Sequence, residues 1–151
     1  MMTDADYMRL ALAEARDAAE QGEVPVGAVV VLGERILASA GNRTITACDP
    51  AAHAEVLALR EAAKIISNHR ILGATLYVTV EPCAMCAGAI VQARILRVVY
   101  GCDDLKGGAA RSCFRVFDHP ALNHSVEVTS GILAEECAGT LQSFFAARRT
   151  S

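Results

Sequence analysis

The sequence predicts one α/β domain spanning residues 1–151, and three observations carry that expectation. Segments with apolar residues at helical spacing alternate with short β-branched or apolar runs. Between Ala74 and Tyr100 a strand, a helix and a second strand follow so closely that they imply a parallel, right-handed crossover. No repeat, low-complexity tract or linker interrupts the 151 residues, a length that fits a single core. With 53% apolar, 21% charged and only 5% aromatic residues, the chain is globular in composition and its core is built from aliphatic side chains.

From about Asp4 to Gln21, Leu10, Ala11, Ala15, Ala18 and Ala19 fall at helical spacing, and Gly22 supplies a stop. Gly27–Leu32 and Arg35–Ala40 flank Gly33-Glu34 and read as an antiparallel hairpin. Asp49-Pro50 is a helix start, with a carboxylate at the N-cap and proline in the first turn, so a helix is expected from Ala51 to about Ile66 with His53 in its first turn. Ala74–Val80 is a nearly continuous apolar run, the pattern of a strand covered on both faces. Pro82 opens a helix over about Cys83–Ala93, and Leu96–Tyr100 is the next strand. Val126–Thr129 reads as a further strand and Ala134–Arg148 as a closing helix. The stretch from Cys102 to Asn123 gives no clear element, and its Gly107-Gly108 pair reads as a flexible lid, since no lysine motif follows to make it a phosphate loop.

Six cysteines in a chain with no export signal read as thiols or metal ligands rather than as a disulfide framework. No stretch approaches 18 apolar residues, so no membrane span is expected and the expected compartment is the cytoplasm. The net charge of -3 argues against indiscriminate nucleic-acid binding, which requires many phosphates to be neutralised together. Charge is segregated, however: acids crowd Thr3–Glu23, whereas Lys106, Arg111 and Arg115 occur without an acid between Leu105 and Phe117, and Arg148-Arg149 close the chain. Such segments read either as solvated faces or as a local anion-binding surface.

The chemistry is concentrated in His53-Ala54-Glu55 and Pro82-Cys83-Ala84-Met85-Cys86, each beside an expected helix start. Cys83 and Cys86 are three apart, so in a first helical turn both sulfurs leave one face and can converge on one ion. Unpaired amides at a helix N-terminus favour thiolates there. Two thiolates and one imidazole make three protein ligands, one fewer than a closed structural zinc site, so the fourth position is expected to take water. Zinc can lower the pKa of that water to about 7. Glu55, two residues beyond His53, does not share a helix face with it and is better placed as a proton shuttle than as a ligand. A lone C-x-x-C would read as redox-active or structural, but joined to H-x-E and preceded by proline it forms the signature of zinc-dependent nucleobase deaminases.

Around this signature the sequence resembles the bacterial tRNA-specific adenosine deaminases, which convert the wobble adenosine of the anticodon to inosine. The likeness covers nearly the whole chain, through Glu23-Val24-Pro25-Val26-Gly27-Ala28, Asn42-Arg43, Asp49-Pro50, Leu76-Tyr77-Val78-Thr79, Glu81-Pro82-Cys83, Cys86-Ala87-Gly88-Ala89 and Arg97-Val98-Val99-Tyr100-Gly101. It continues through Asp104, Lys106, His119-Pro120, Asn123-His124, Gly131-Ile132-Leu133, Phe144-Phe145 and Arg148-Arg149. Thr44 stands where members often carry proline, and Cys102 where a small residue is usual.

The resemblance implies a cytidine-deaminase-like fold, a three-layer α/β/α arrangement around a mixed five-stranded sheet. It implies one zinc ion per subunit on His53, Cys83 and Cys86, and Glu55 as the catalytic proton shuttle. Asn42 would hydrogen-bond the flipped nucleoside, and Val26 and Ala54 would line its pocket. Asp104, Lys106, Asn123, His124 and Arg149 would hold neighbouring anticodon-loop nucleotides. The implied substrate is the anticodon stem-loop of an arginine tRNA, attacked at C6 of the wobble adenosine with release of ammonia, and the implied assembly is a homodimer. An enzyme acting on a free base or nucleoside, such as guanine or cytidine, shares the zinc chemistry, and a noncatalytic RNA-binding subunit that keeps zinc for stability is a third reading. The basic segments argue against the free base, which needs no phosphate clamp, and Glu55 argues against the noncatalytic subunit.

Taken singly, other residues have plainer readings. Asn42 alone would be a turn former. His69 lies in a polar loop, His119 and His124 read as structural caps as readily as functional groups, and Phe144 reads as core, with Phe145 open. Cys48, Cys102, Cys113 and Cys137 are expected to be buried or half-buried thiols, not a fourth zinc ligand. Ala84, Ala87, Gly88 and Val91 suit either a sheet-facing surface or close packing against a second subunit.

Overall fold

The computed structural model describes residues 1–149, and the last two residues of the expected 1–151 domain lie outside them. The chain forms α1 (Asp4–Glu20), β1 (Gly27–Leu32), β2 (Arg35–Gly41), α2 (Ala54–Ile66), β3 (Thr75–Val80), α3 (Ala84–Gln92), β4 (Arg97–Cys102), β5 (Glu127–Thr129) and α4 (Ala134–Arg149). One 3-10 turn, Val116–Asp118, lies between β4 and β5. The strands make one five-stranded mixed sheet in the order β2-β1-β3-β4-β5. β1 pairs antiparallel with β2 and β3, whereas β3, β4 and β5 run parallel. The α/β class, the hairpin and the parallel crossover expected from the sequence are all present.

Strand alternation divides the core into two. Ala28, Val30, Leu76, Val78, Val98 and Tyr100 face α2 and α3, while Val29, Val31, Tyr77 and Val99 face α1 and α4. This gives the expected three layers. Because side chains on both faces of the central strands are buried, those strands read as continuous apolar runs. α1 lies so close to the sheet that a Cβ at Gly27 would overlap the Ala11 carbonyl. Thr3 and Asp6 close a reciprocal capping box at its start. At the same end, Arg97 pairs with Asp4 at 2.6 Å and tethers the start of α1 to the N-terminal end of β4.

Two helix starts differ from the sequence expectation. The Asp49 carboxylate accepts from the Ala51 amide at 2.9 Å, and the Arg43 amide donates to the Ala52 carbonyl at 3.0 Å. These bonds hold 49–53 as a turn, so α2 begins at Ala54 and His53 is its N-cap rather than a first-turn residue. Cys83 is likewise the N-cap of α3, in extended backbone. The choice between sheet-facing and partner-facing readings of α3 divides by residue: Ala87 and Val91 are buried, while Ala84 is exposed.

Candidate active site

β3 ends, β1 begins and β2 ends at one side of the sheet, and the turns there bring the two motifs together. A cavity of about 270 Å³ opens at this point, lined by Val24, Val26, Asn42, Thr44, His53, Ala54, Glu55, Val80, Glu81, Cys83 and Asp104. Its position beyond the carboxyl ends of parallel strands is where α/β sheets gather ligands. Val26 and Asn42 are joined across its mouth, the Asn42 amide donating to the Val26 carbonyl at 3.0 Å.

His53 Nδ1 lies 3.6 Å from the Cys83 Sγ and 3.4 Å from the Cys86 Sγ. Among the described residues these three form the group whose donor atoms lie within 4.8 Å of one another. Tetrahedral zinc with Zn–S of about 2.3 Å and Zn–N of about 2.0–2.1 Å would place sulfur and nitrogen roughly 3.6 Å apart, so the spacing fits zinc. The proton chemistry points the same way. Hydrogen bonds from Cys86 and then His53 bring the Cys83 thiol down to about 4. The bond to Cys83, followed by burial, pushes Cys86 upward. Bonding to Cys83 holds the His53 ring above its ordinary value. The two thiols are thus driven in opposite directions, Cys83 toward the thiolate and Cys86 away from it, and a bound metal would favour the thiolate at both.

Glu55 is in the first turn of α2, 4% exposed, and faces the cavity. Burial drives its carboxyl up to about 7. A carboxyl poised near neutrality, beside donors that fit a metal, can both take and give a proton. Asn42 is 7% exposed and its Oδ1 has no hydrogen-bond partner. A buried acceptor left unsatisfied on a cavity wall is a vacancy for a donor from a ligand.

The remaining residues expected to meet RNA scatter. Asp104 lines the cavity, its Oδ1 accepting from the amides of Lys106 at 3.1 Å and Gly107 at 3.2 Å, and Lys106 is exposed beside it. His124 is elsewhere: its Nε2 lies 2.8 Å from the Ile95 carbonyl, ahead of β4 and therefore at the opposite end of the sheet. Asn123 precedes it, exposed. Arg149 is exposed at the end of α4, where Arg148 lies 4.1 Å over the Phe144 ring. Phe144 is half-buried and Phe145 exposed, His69 is exposed, and His119 accepts from the Ala121 amide at 3.0 Å as a cap. Of the remaining cysteines Cys102 and Cys137 are buried as expected, but Cys48 and Cys113 are exposed because both fall in loops outside the sheet layers.

The lid reading of Gly107-Gly108 is overturned. Gly108 is buried, and a Cβ there would overlap the Glu81 carboxyl. Glu81, 2% exposed, accepts from the amides of Asp104, Ala110, Arg111 and Ser112 and from the Ser112 hydroxyl. Burial alone would raise its pKa, but those donors bring it down to about 2. Glu23, fully buried at the cavity's other flank, accepts from the Ile45 and Thr46 amides at 3.1 and 2.6 Å. Sequence reasoning assigned neither glutamate a task. A buried carboxylate with no cation nearby leaves no mark on periodicity or motif spacing.

The model of the MafB19-like deaminase family matches residues 2–149. A tRNA-specific adenosine deaminase of Haemophilus influenzae is 53% identical over 147 residues, covering 97% of this chain and 85% of its own. A structure from biochemical and structural studies of A-to-I editing by tRNA:A34 deaminases superposes with a TM-score of 0.87 at 50% identity, over 89% of this chain and 98% of that one. A guanine deaminase from Nitrosomonas europaea shares the fold, with a TM-score of 0.83 over 97% of this chain and 86% of its own, at 22% identity. The shared architecture therefore does not separate the branches, whereas identity near one half along almost the whole of both chains does: this chain belongs to the tRNA-specific adenosine deaminase family.

Proposed function

We propose that this protein deaminates the wobble adenosine of an arginine tRNA to inosine, consuming water and releasing ammonia. The single observation that carries the reading is the meeting of a zinc-fitting His53, Cys83 and Cys86 cluster with a buried Glu55 on one cavity wall. Zinc, when bound by those three residues, would supply the Lewis acidity that lets water attack near neutral pH. Glu55 takes a proton from the attacking water and gives it to the ring nitrogen beside C6, then helps protonate the departing amine. The Asn42 Oδ1, free of other partners, accepts from the flipped nucleoside. Val24, Val26 and Val80 give the base an apolar slot.

At about 270 Å³ the cavity is near the small end of ligand sites, roughly 300–1,000 Å³. That suits one base extruded from a loop whose neighbours stay outside. Flipping costs least in a strand already unpaired, which favours an anticodon loop over a duplex. Asp104 and Lys106 flank the mouth and would meet those neighbours. Asn123 and His124 lie at the far end of the sheet from their own subunit's cavity. A homodimer offers a way for them to approach a loop bound at the partner's site. No helix among the described residues is long and apolar enough to cross a membrane, and a tRNA substrate is consistent with a cytoplasmic enzyme.

The test is inosine formation in an arginine-tRNA anticodon stem-loop, run beside free adenosine, cytidine and guanine with a Glu55→Ala control. Inosine in the stem-loop alone, lost in the control, is expected. Turnover of a free base instead would keep the mechanism and move the substrate to nucleobase salvage. Sedimentation at micromolar concentration tests the dimer, and a monomer there would remove it.

A further inference from the structure

We infer that Glu81 is a positioning residue: its buried carboxylate fixes the substrate-facing segment 104–112 in register with the metal-binding turn at Cys83. The inference rests on the tRNA reading above for what the segment meets, but the register itself stands on this chain's own bonds. Glu81 immediately precedes Pro82 and Cys83, so whatever it holds is held relative to a metal donor two residues away. It holds a great deal. One oxygen accepts from the Asp104 amide at 3.0 Å and from the Ser112 hydroxyl; the other accepts from the amides of Ala110, Arg111 and Ser112 at 3.0, 2.8 and 2.9 Å.

The same segment is stitched to that turn by its backbone. The Ala109 amide donates to the Pro82 carbonyl at 2.8 Å, the Glu81 amide donates to the Cys102 carbonyl at 2.9 Å, and the Gly108 amide closes on Asp104 at 2.8 Å. None of the four salt bridges found among the described residues involves Glu81. The ionised carboxylate is therefore held by converging amide dipoles, an arrangement that fixes the directions of several backbone groups together. What it fixes is the cavity rim. Asp104 forms one wall, Lys106 follows on the outer side, and Ala109 and Ala110 are buried beneath. Segment 105–117 carries three basic residues and joins β4 to the 3-10 turn, with Ala109, Ala110 and Phe117 packed in the core. Its other backbone bonds are mostly internal, and among the described residues no other side chain accepts as many bonds from 104–112 as Glu81 does.

The test uses the zinc-loaded protein and the variants Glu81→Gln and Ser112→Ala. Glutamine keeps the shape but turns an amide donor toward a ring of donors, whereas Ser112→Ala removes one bond from the same carboxylate with little risk to folding. Hydrogen exchange read by mass spectrometry should show faster exchange over 104–112 in Glu81→Gln, with α1 and the β1–β3 pairing unchanged and zinc still stoichiometric. Steady-state assays on the anticodon stem-loop should show KM raised about tenfold with kcat within about twofold, and Ser112→Ala should move KM the same way by less. Unchanged exchange over 104–112 in Glu81→Gln overturns the inference, whatever the substrate. So does a fall in kcat and zinc content together with KM unaltered, which would make Glu81 a support for the metal donors alone. If the wild-type protein leaves the stem-loop untouched, the tRNA reading fails and the exchange measurement decides the register independently.

Discussion

At the start of α2, Glu55 is 4% exposed and its carboxyl is raised to about 7; at the end of β3, Glu81 is 2% exposed and is lowered to about 2. Both line the same cavity. Burial raises the pKa at both positions, and the outcome turns on what faces the oxygens. Glu81 meets converging backbone amides and a hydroxyl, so its charge is solvated by the protein. Glu55 meets thiols and open cavity, so it is left able to change protonation. One region uses a buried glutamate to hold shape, and the other keeps one poised to react. The lesson is that burial alone does not assign a role to a carboxylate; the count of its donors does.

The comparison can be broken first at the metal donors. His53→Ala should abolish zinc binding and activity together, seen as metal content and ammonia release, because two cysteines alone leave the ion with one protein ligand too few. Glu55→Gln should keep zinc and substrate affinity while kcat falls roughly 10² to 10⁴-fold, since only proton transfer is removed. Retained turnover in that variant would end the assignment of poised chemistry to α2. Asn42→Ala should lower kcat/KM roughly 5- to 150-fold on the stem-loop, the cost of about 1–3 kcal/mol for one buried hydrogen bond to the base.

The shape-holding side is sharpened by thermal unfolding. Glu81→Gln should lower the midpoint by roughly 3–10 °C, while Glu55→Gln should leave it nearly unchanged. The smallest effect concerns Glu23, whose burial raises its pKa but whose bonds from the Thr46 and Ile45 amides hold it below the ordinary carboxylate value overall. A group lowered on folding stabilises fully above its unfolded pKa and loses that contribution as pH falls through the folded value. Glu23→Gln should therefore be less stable than wild type at neutral pH. The gap should narrow below about pH 4.5, as read by urea unfolding at each pH.

Much of this was legible beforehand. The hairpin, the crossover and the helices follow from periodicity, and their ends shift by a residue or two only where local side chains compete with helix bonds, as Asp49 does at Ala51. The zinc-fitting donors and Glu55 were legible because the three-residue spacing of Cys83 and Cys86 and the H-x-E motif at 53–55 are both local patterns beside helix starts. The segment after Cys102 was not, since its order comes from Glu81, more than twenty residues earlier in the chain.

By itself, then, the sequence determined the elements, the zinc-fitting donors, the glutamate proposed as proton shuttle and the resemblance that set the substrate class. Those depend on residue type and short-range spacing. Only the tertiary structure decided that Asn42 keeps a free acceptor on the cavity wall, that His124 turns to the far end of the sheet, and that 104–112 is a fixed rim instead of a lid. Each of these depends on which groups meet across the fold, and a buried polar atom is defined by its partners rather than by its neighbours in the chain.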